Sequence, residues 1–448
     1  MRHVTLRTIV VGLFAGLFAA VASRQGLSAQ ALNEPFDAAA QINPVIEWNQ
    51  LFIDTLVATS TANIASPRLA AIVQASVFDA ANGIDQRYAP LFVAGRAPEG
   101  ASQEAAVVAA AYTTMIGLFP SQQAAILDPA YGASIEALRV RCPTGPRPNA
   151  LCETRIQDGV EWGAEVAHAI LDLRANDGFS VTYPAFVGGT AIGQWRPTLP
   201  AFAPMSAQSL AFTDMFVLAS HSQFQPERPR TLASTVFTAD FNAVKALGRR
   251  TGSTRTDDHT ALARFWDGNA SVHWNQAAGQ MAQHRHLSIS SSARLFAVLN
   301  IAMADTAQTI WSAKRFYGSV ATEVTWRPIT AIALAEADAN PDTTADPDWL
   351  PLINTPTHPE YPAGHPSLNG AAATVLLRHF NDRQTFTLTT AGQPSRSYTS
   401  ISQARADGNN ARVWGGMHYP STVAISDATG GAIADYVDRH AMQRLAGR

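Results

Sequence analysis

Five side chains in the last third of this 448-residue chain have the types and spacing to hold one anion. Lys314 comes first, followed by Trp326-Arg327-Pro328. Next is Tyr361-Pro362-Ala363-Gly364-His365. The third cluster is Arg412-Val413-Trp414-Gly415-Gly416-Met417-His418-Tyr419-Pro420. Together they offer two guanidiniums, one ammonium and two imidazoles. Cations repel cations, so this composition does not suit a conventional metal site. It suits a tetrahedral oxyanion such as phosphate or vanadate. Arg presents a planar fork of donors that matches oxyanion edges, and Lys adds a point charge. One His can then act as ligand or nucleophile and the other as acid/base. Gly415-Gly416 lets the backbone pass close to a bound anion just before His418.

The elements that carry these residues read as helices. Apolar spacing and caps predict helices over 43–57, 66–82, 103–118, 121–138 (interrupted at Pro129), 162–173 and 233–247. Residues 142–158 read as a loop leading into a helix. A further helix opens at Thr256, with Asp257 and Asp258 in its first turn. The long apolar helix 293–313 delivers Lys314 at its end. Helix 367–380 begins just after His365, and its unpaired first-turn N–H groups can face an anion. Helices 401–414 and 429–445 close the chain, and 382–398 has the alternation of a short strand pair. Trp195-Arg196-Pro197, in the Gly- and Pro-rich stretch 177–208, reads as a surface connection. That stretch is long enough to carry a substrate lid. His273 reads as structural. His284 and His286 point apart on a helix and do not share a ligand set. The fold class is all-α, a helical-bundle domain over 32–448, with N-terminal helices in 43–290 and the oxyanion site in 291–448.

Composition bounds the rest. The chain is 47% hydrophobic, which is ample for a large core, and only 15% charged, with a formal net charge of −3. It has no basic run to bind nucleic acid. Residues 1–31 read as a signal peptide. Arg2, His3 and Arg7 form a positive start, 9–22 an apolar stretch too short to span a bilayer, and Ala29-Gln30-Ala31 a cleavage site. A secreted or periplasmic protein follows, with no membrane association after cleavage. In that compartment Cys142 and Cys152, flanking a Pro/Gly-rich loop, are expected to form a disulfide.

The three clusters resemble the signature of the vanadium-dependent haloperoxidase and PAP2-type acid phosphatase superfamily: Lys-x6-Arg-Pro, Pro-Ser-Gly-His and Ser-Arg-x5-His-x3-Asp. Trp326 before Arg327-Pro328 and the spacing Arg412-x5-His418 look most like the bacterial vanadium chloroperoxidase-related branch. The resemblance implies that His418 is the vanadate ligand or phosphoryl-accepting nucleophile, and that His365 is the acid/base. It implies that Lys314, Arg327, Gly364 and Arg412 bind the oxyanion. His358 matches a position that is Phe or His among halogenating members, and His there looks like the bromoperoxidases. The implied cofactor is vanadate, the partners are hydrogen peroxide and halide, and the resemblance allows a homodimer.

Three departures accompany the match. Twelve residues, not six, separate Lys314 from Arg327. On one straight helix that spacing holds their Cα atoms roughly 20 Å apart. If the helix breaks at Gly318 and the β-branched run after it, Lys314 reaches the site; otherwise the ammonium is missing. Ala363 stands where the family has Ser, and Thr422 stands where it has the Asp that orients the ligand His. Asp427, five residues on, substitutes for that Asp if the chain bulges. Three functions stay open: a vanadate-dependent haloperoxidase favouring bromide, a PAP2-type acid phosphatase working through a phosphohistidine, and a non-catalytic oxyanion-binding protein.

Overall fold

The computed structural model describes residues 43–144 and 146–446. The leader expected over 1–31, with its cleavage site, lies outside the described residues. Among those residues are 13 α-helices and one antiparallel ribbon. The N-terminal group comprises α1 (Pro44–Ala58), α2 (Ser66–Asp85), α3 (Gln103–Leu118), α4 (Asp128–Val140) and α5 (Pro146–Ala175). Then come α6 (Thr235–Leu247), α7 (Asp257–Phe265), α8 (Ala270–His284) and α9 (Ile289–Ser319). The C-terminal group is α10 (Pro328–Ala333), α11 (Gly364–His379), α12 (Ile401–Trp414) and α13 (Pro420–His440). The ribbon pairs β1 (Phe386–Leu388) with β2 (Arg396–Tyr398). No described helix is long and apolar enough to cross a membrane.

Local sequence explains most of the helix starts. Asn43, Ser102, Ser234, Thr256, Ser288 and Ser400 each accept a first-turn backbone N–H through the side chain, which satisfies donors the helix cannot pair itself. Pro44, Pro328 and Pro420 open their helices where the missing N–H costs nothing.

The 31-residue α9 is the axis of the molecule. At 1.5 Å per residue it is about 46 Å long, and it is buried on nearly every face. It packs against α2 on one side and against α11 and α13 on the other. The main core is continuous from Val45 to Met442. Where α11 crosses α13 the backbones almost touch. A Cβ at Gly370 would lie 2.1 Å from Asp427 O, and one at Gly430 would lie 1.9 Å from Ser367 O. Only glycine fits at that crossing.

Two buried aspartates tie loops to the helices. Asp79 of α2 accepts the N–H groups of Leu91, Phe92 and Val93 at 2.8–3.0 Å. Asp305 of α9 accepts those of Phe216, Val217 and Leu218 at 2.7–3.0 Å. Each carboxylate pairs three loop donors that would otherwise be buried unsatisfied.

The structure corrects several expectations. α5 already starts at Pro146, so most of the stretch 142–158 is helix and not loop. The expected helix 121–138 is an irregular turn followed by α4, with Pro129 in its first turn rather than its middle. Trp195 is not a surface residue. It is fully buried and stacked on Phe186. α11 begins at Gly364 and so includes His365. α13 begins at Pro420, directly after the His418 cluster, and not at 429. Apart from these corrections, Cys142 and Cys152 are joined by a disulfide, the pairing the sequence suggests.

Candidate active site

α9 continues past Lys314 and ends at Ser319, one residue beyond Gly318. Val320 then turns extended. The returning strand is fixed by Gly193, whose carbonyl accepts Thr325 N–H at 2.7 Å and Trp326 N–H at 2.9 Å. Trp195 N–H in turn donates to Thr325 Oγ1 at 3.0 Å. The Gly- and Pro-rich connection thus sets the position of Arg327, the residue that caps α10. Lys314 is fully buried, and its Nζ donates to Pro359 O at 2.6 Å and Glu360 O at 3.3 Å. Both cations therefore reach the same His358–Glu360 loop despite the long spacing.

Arg327 organises the centre. Its Nε donates to His358 O and its Nη1 to Met417 O, each at 2.9 Å. Nη2 lies 2.8 Å from His358 Nδ1, and Nη1 lies 3.2 Å from His418 Nε2. A guanidinium only donates, so both imidazole nitrogens are acceptors. The His358 proton is accordingly on Nε2 and the His418 proton on Nδ1. His358 also packs against Trp311, with ring centroids 5.0 Å apart.

His418 Nδ1–H donates to Glu360 Oε1 at 2.9 Å, and both side chains are buried. The same oxygen accepts Tyr419 N–H at 3.1 Å, and Oε2 accepts the Thr422 hydroxyl at 3.1 Å. Glu360 therefore orients His418, a role the expected Asp would fill from α13. Thr422 has become a donor to that carboxylate. Asp427 does not substitute, because both of its oxygens are held by Arg405 at 2.7 Å. The only sequence signal for Glu360 was a lone acid in an apolar, proline-flanked stretch. The family pattern directed attention four residues after the His instead.

Arg412, at the end of α12, donates Nη1 to Asp267 Oδ1 at 3.2 Å and Nη2 to Met417 Sδ at 3.1 Å. Its Nε is buried without a partner. Ala363 N–H is taken by Ser426 Oγ at 2.7 Å, and α11 has no side-chain cap. The Gly364 and His365 N–H groups thus open an uncapped helix end. His365 Nε2 lies 2.6 Å from Asn63 Nδ2 and 3.3 Å from Gly268 O. Gly416 lies in the left-handed region at φ 79°. Its Cβ position would meet Gly248 O at 2.6 Å, so packing requires the glycine.

Electrostatics make this a site short of negative charge. Lys314, Arg327 and Arg412 face the buried Glu360 and a half-exposed Asp267. Burial, reinforced by Arg327, pushes the Lys314 ammonium well below its usual pKa. Burial lowers Arg327 to about 9 and raises Glu360 to about 7, though the Arg327 charge opposes the latter. Burial with Arg327 lowers His418, and burial with Arg412 lowers His365. An anion would relieve every one of these penalties on the cations. The unpaired Arg412 Nε, the uncapped α11 and the surplus of cations therefore fit an oxyanion, with an unprotonated His418 Nε2 beside Arg327 Nη1. Among the described residues no cluster of His, Cys, Asp and Glu could hold a metal cation.

Residues 294–447 match the family model of the VCPO second helical-bundle domain. Among curated proteins, none matches the chain. Among solved structures it resembles the first bacterial vanadium-dependent iodoperoxidase, with TM-score 0.72 and 21% identity, covering 93% of this chain and 100% of that one. It also resembles bacterial vanadium-dependent chloroperoxidase. The apo type gives TM-score 0.62 at 17% identity, covering 84% of this chain and 93% of that one. The holo type gives 0.61 at 16%, covering 90% and 94%. Residues 294–447 thus match the VCPO second helical-bundle domain, and the chain shares the fold of these solved structures.

Proposed function

We propose that this chain is an exported vanadate-dependent haloperoxidase that oxidises halide, bromide by preference, with hydrogen peroxide to hypohalous acid. One observation carries the reading. His418 is held by the buried Glu360 with its Nε2 unprotonated and facing Arg327 Nη1 at 3.2 Å, inside a cluster of three buried cations. An imidazole fixed in that tautomer is a ligand, and its second partner raises its basicity. His418 would hold vanadate through Nε2. Lys314, Arg327, Arg412 and the Gly364 N–H would neutralise its oxygens. Bound vanadate supplies a Lewis-acid centre that activates peroxide without changing oxidation state.

The chain's own residues have distinct tasks. Arg327 and Arg412 supply fixed donors where negative charge collects. His365, at the open end of α11, exchanges a proton with the incoming peroxide. His358 lies against Trp311 on the halide side and motivates the preference for bromide. Ala363 contributes no hydroxyl donor, and its N–H is already engaged by Ser426, so oxyanion binding relies on the remaining donors. The decisive assay is bromide oxidation by hydrogen peroxide with and without added vanadate, beside p-nitrophenyl phosphate hydrolysis on the vanadate-free protein. Vanadate-dependent hypobromite is the expected result. Phosphate release without hypobromite would move the chain to the acid phosphatases, and neither activity would leave an oxyanion-binding protein.

A further inference from the structure

Asn63 lies in the turn between α1 and α2, 302 residues before the His365 it touches. Its amide orientation is decided by two backbone groups. Oδ1 accepts Ala270 N–H at 3.1 Å, and Nδ2 approaches Gly268 O at 3.5 Å. Turning the amide over would set donor against donor at Ala270 and acceptor against acceptor at Gly268. The group facing His365 Nε2 at 2.6 Å is therefore an N–H donor. Nε2 must accept, and the ring proton must sit on Nδ1. Among the described residues no side chain or carbonyl is bonded to that Nδ1. The alternative tautomer has only the longer contact to Gly268 O, at 3.3 Å, and would point Nε2–H into the Asn63 amide.

We propose that Asn63 is a positioning residue that fixes His365 as its Nδ1–H tautomer, so that resting His365 offers the bound oxyanion a hydrogen-bond donor. The proposal rests on the reading of His365 as the acid/base group of this site. It also makes the site a product of both helix groups. Residues 294–447 alone contain His365 but not the amide that sets its proton.

The test uses the full chain with ¹⁵N-labelled histidine, the His365 signal being identified by its loss in His365→Gln. The expected result is a protonated Nδ1 and a bare Nε2 in the wild type. Asn63→Asp, nearly isosteric, accepts from Nε2–H and should reverse the pattern. Asn63→Leu should lose the preference for Nδ1–H. A wild-type Nε2–H, or an unchanged Nδ1–H in Asn63→Leu, would overturn the proposal. Bromide oxidation is read on the same samples, with a roughly tenfold or greater fall in kcat expected for Asn63→Asp. If the wild type shows the expected tautomer but no turnover, the haloperoxidase reading fails while the Asn63 assignment stands.

Discussion

At the scale of single residues, the proposed function makes Glu360 and Lys314 the groups that set how the oxyanion is held. Glu360→Gln keeps the shape of the His418 partner and removes its charge, so vanadate affinity should fall roughly 10- to 100-fold. A titration followed by calorimetry would measure it, and unchanged affinity would mean that Glu360 does not orient the ligand histidine. Lys314 yields a pH prediction. Its pKa is lowered in the free site by burial and by Arg327, and a bound oxyanion reverses that. As pH rises through the free-site value, binding must recruit a proton, so affinity falls with rising pH. Calorimetry with phosphate in buffers of different ionisation enthalpy should detect proton uptake, reduced in Lys314→Met. The cations and both histidines were legible in the sequence because their types are rare together. Glu360 and Asn63 were not, because their roles depend on a loop and a turn brought close only by the fold.

At the scale of elements, the helices were legible where caps and apolar spacing agreed, as at 103–118 and 401–414. The starts of α5 and α13 were missed for one reason. Pro146 and Pro420 read as loop residues, yet each opens a helix. The consequence is functional, since α13 starts immediately after His418 and carries Thr422 to Glu360. The α11–α13 crossing then fixes His365 relative to His418. Gly430→Ala places a methyl against Ser367 O and should cost about 1–3 kcal/mol in stability, measured by denaturant unfolding. An unchanged midpoint would mean that the helices separate freely. Asp305→Ala strands three buried N–H groups and should destabilise by about 3 kcal/mol or more. A loss under about 1 kcal/mol in the same unfolding experiment would show that water replaces the carboxylate.

At the scale of the whole molecule, α9 ties the two helix groups into one core and sends Lys314 into the site. The site itself draws on distant segments: Asn63 and Asp267 from the first half, and Arg327, Glu360, His365, Arg412 and His418 from the second. The all-helical class was legible from the spacing of apolar residues, whereas this convergence was not, because nothing local in a sequence records which turn meets which helix. The most direct measurement of His418 as the oxyanion ligand is vanadate binding by calorimetry to the wild type and to His418→Ala, with circular dichroism confirming that both are folded. One vanadate should bind per wild-type chain, and the variant should show no measurable binding. Equal affinity in the two proteins would contradict this assignment, because the oxyanion would then be held somewhere other than on His418 Nε2.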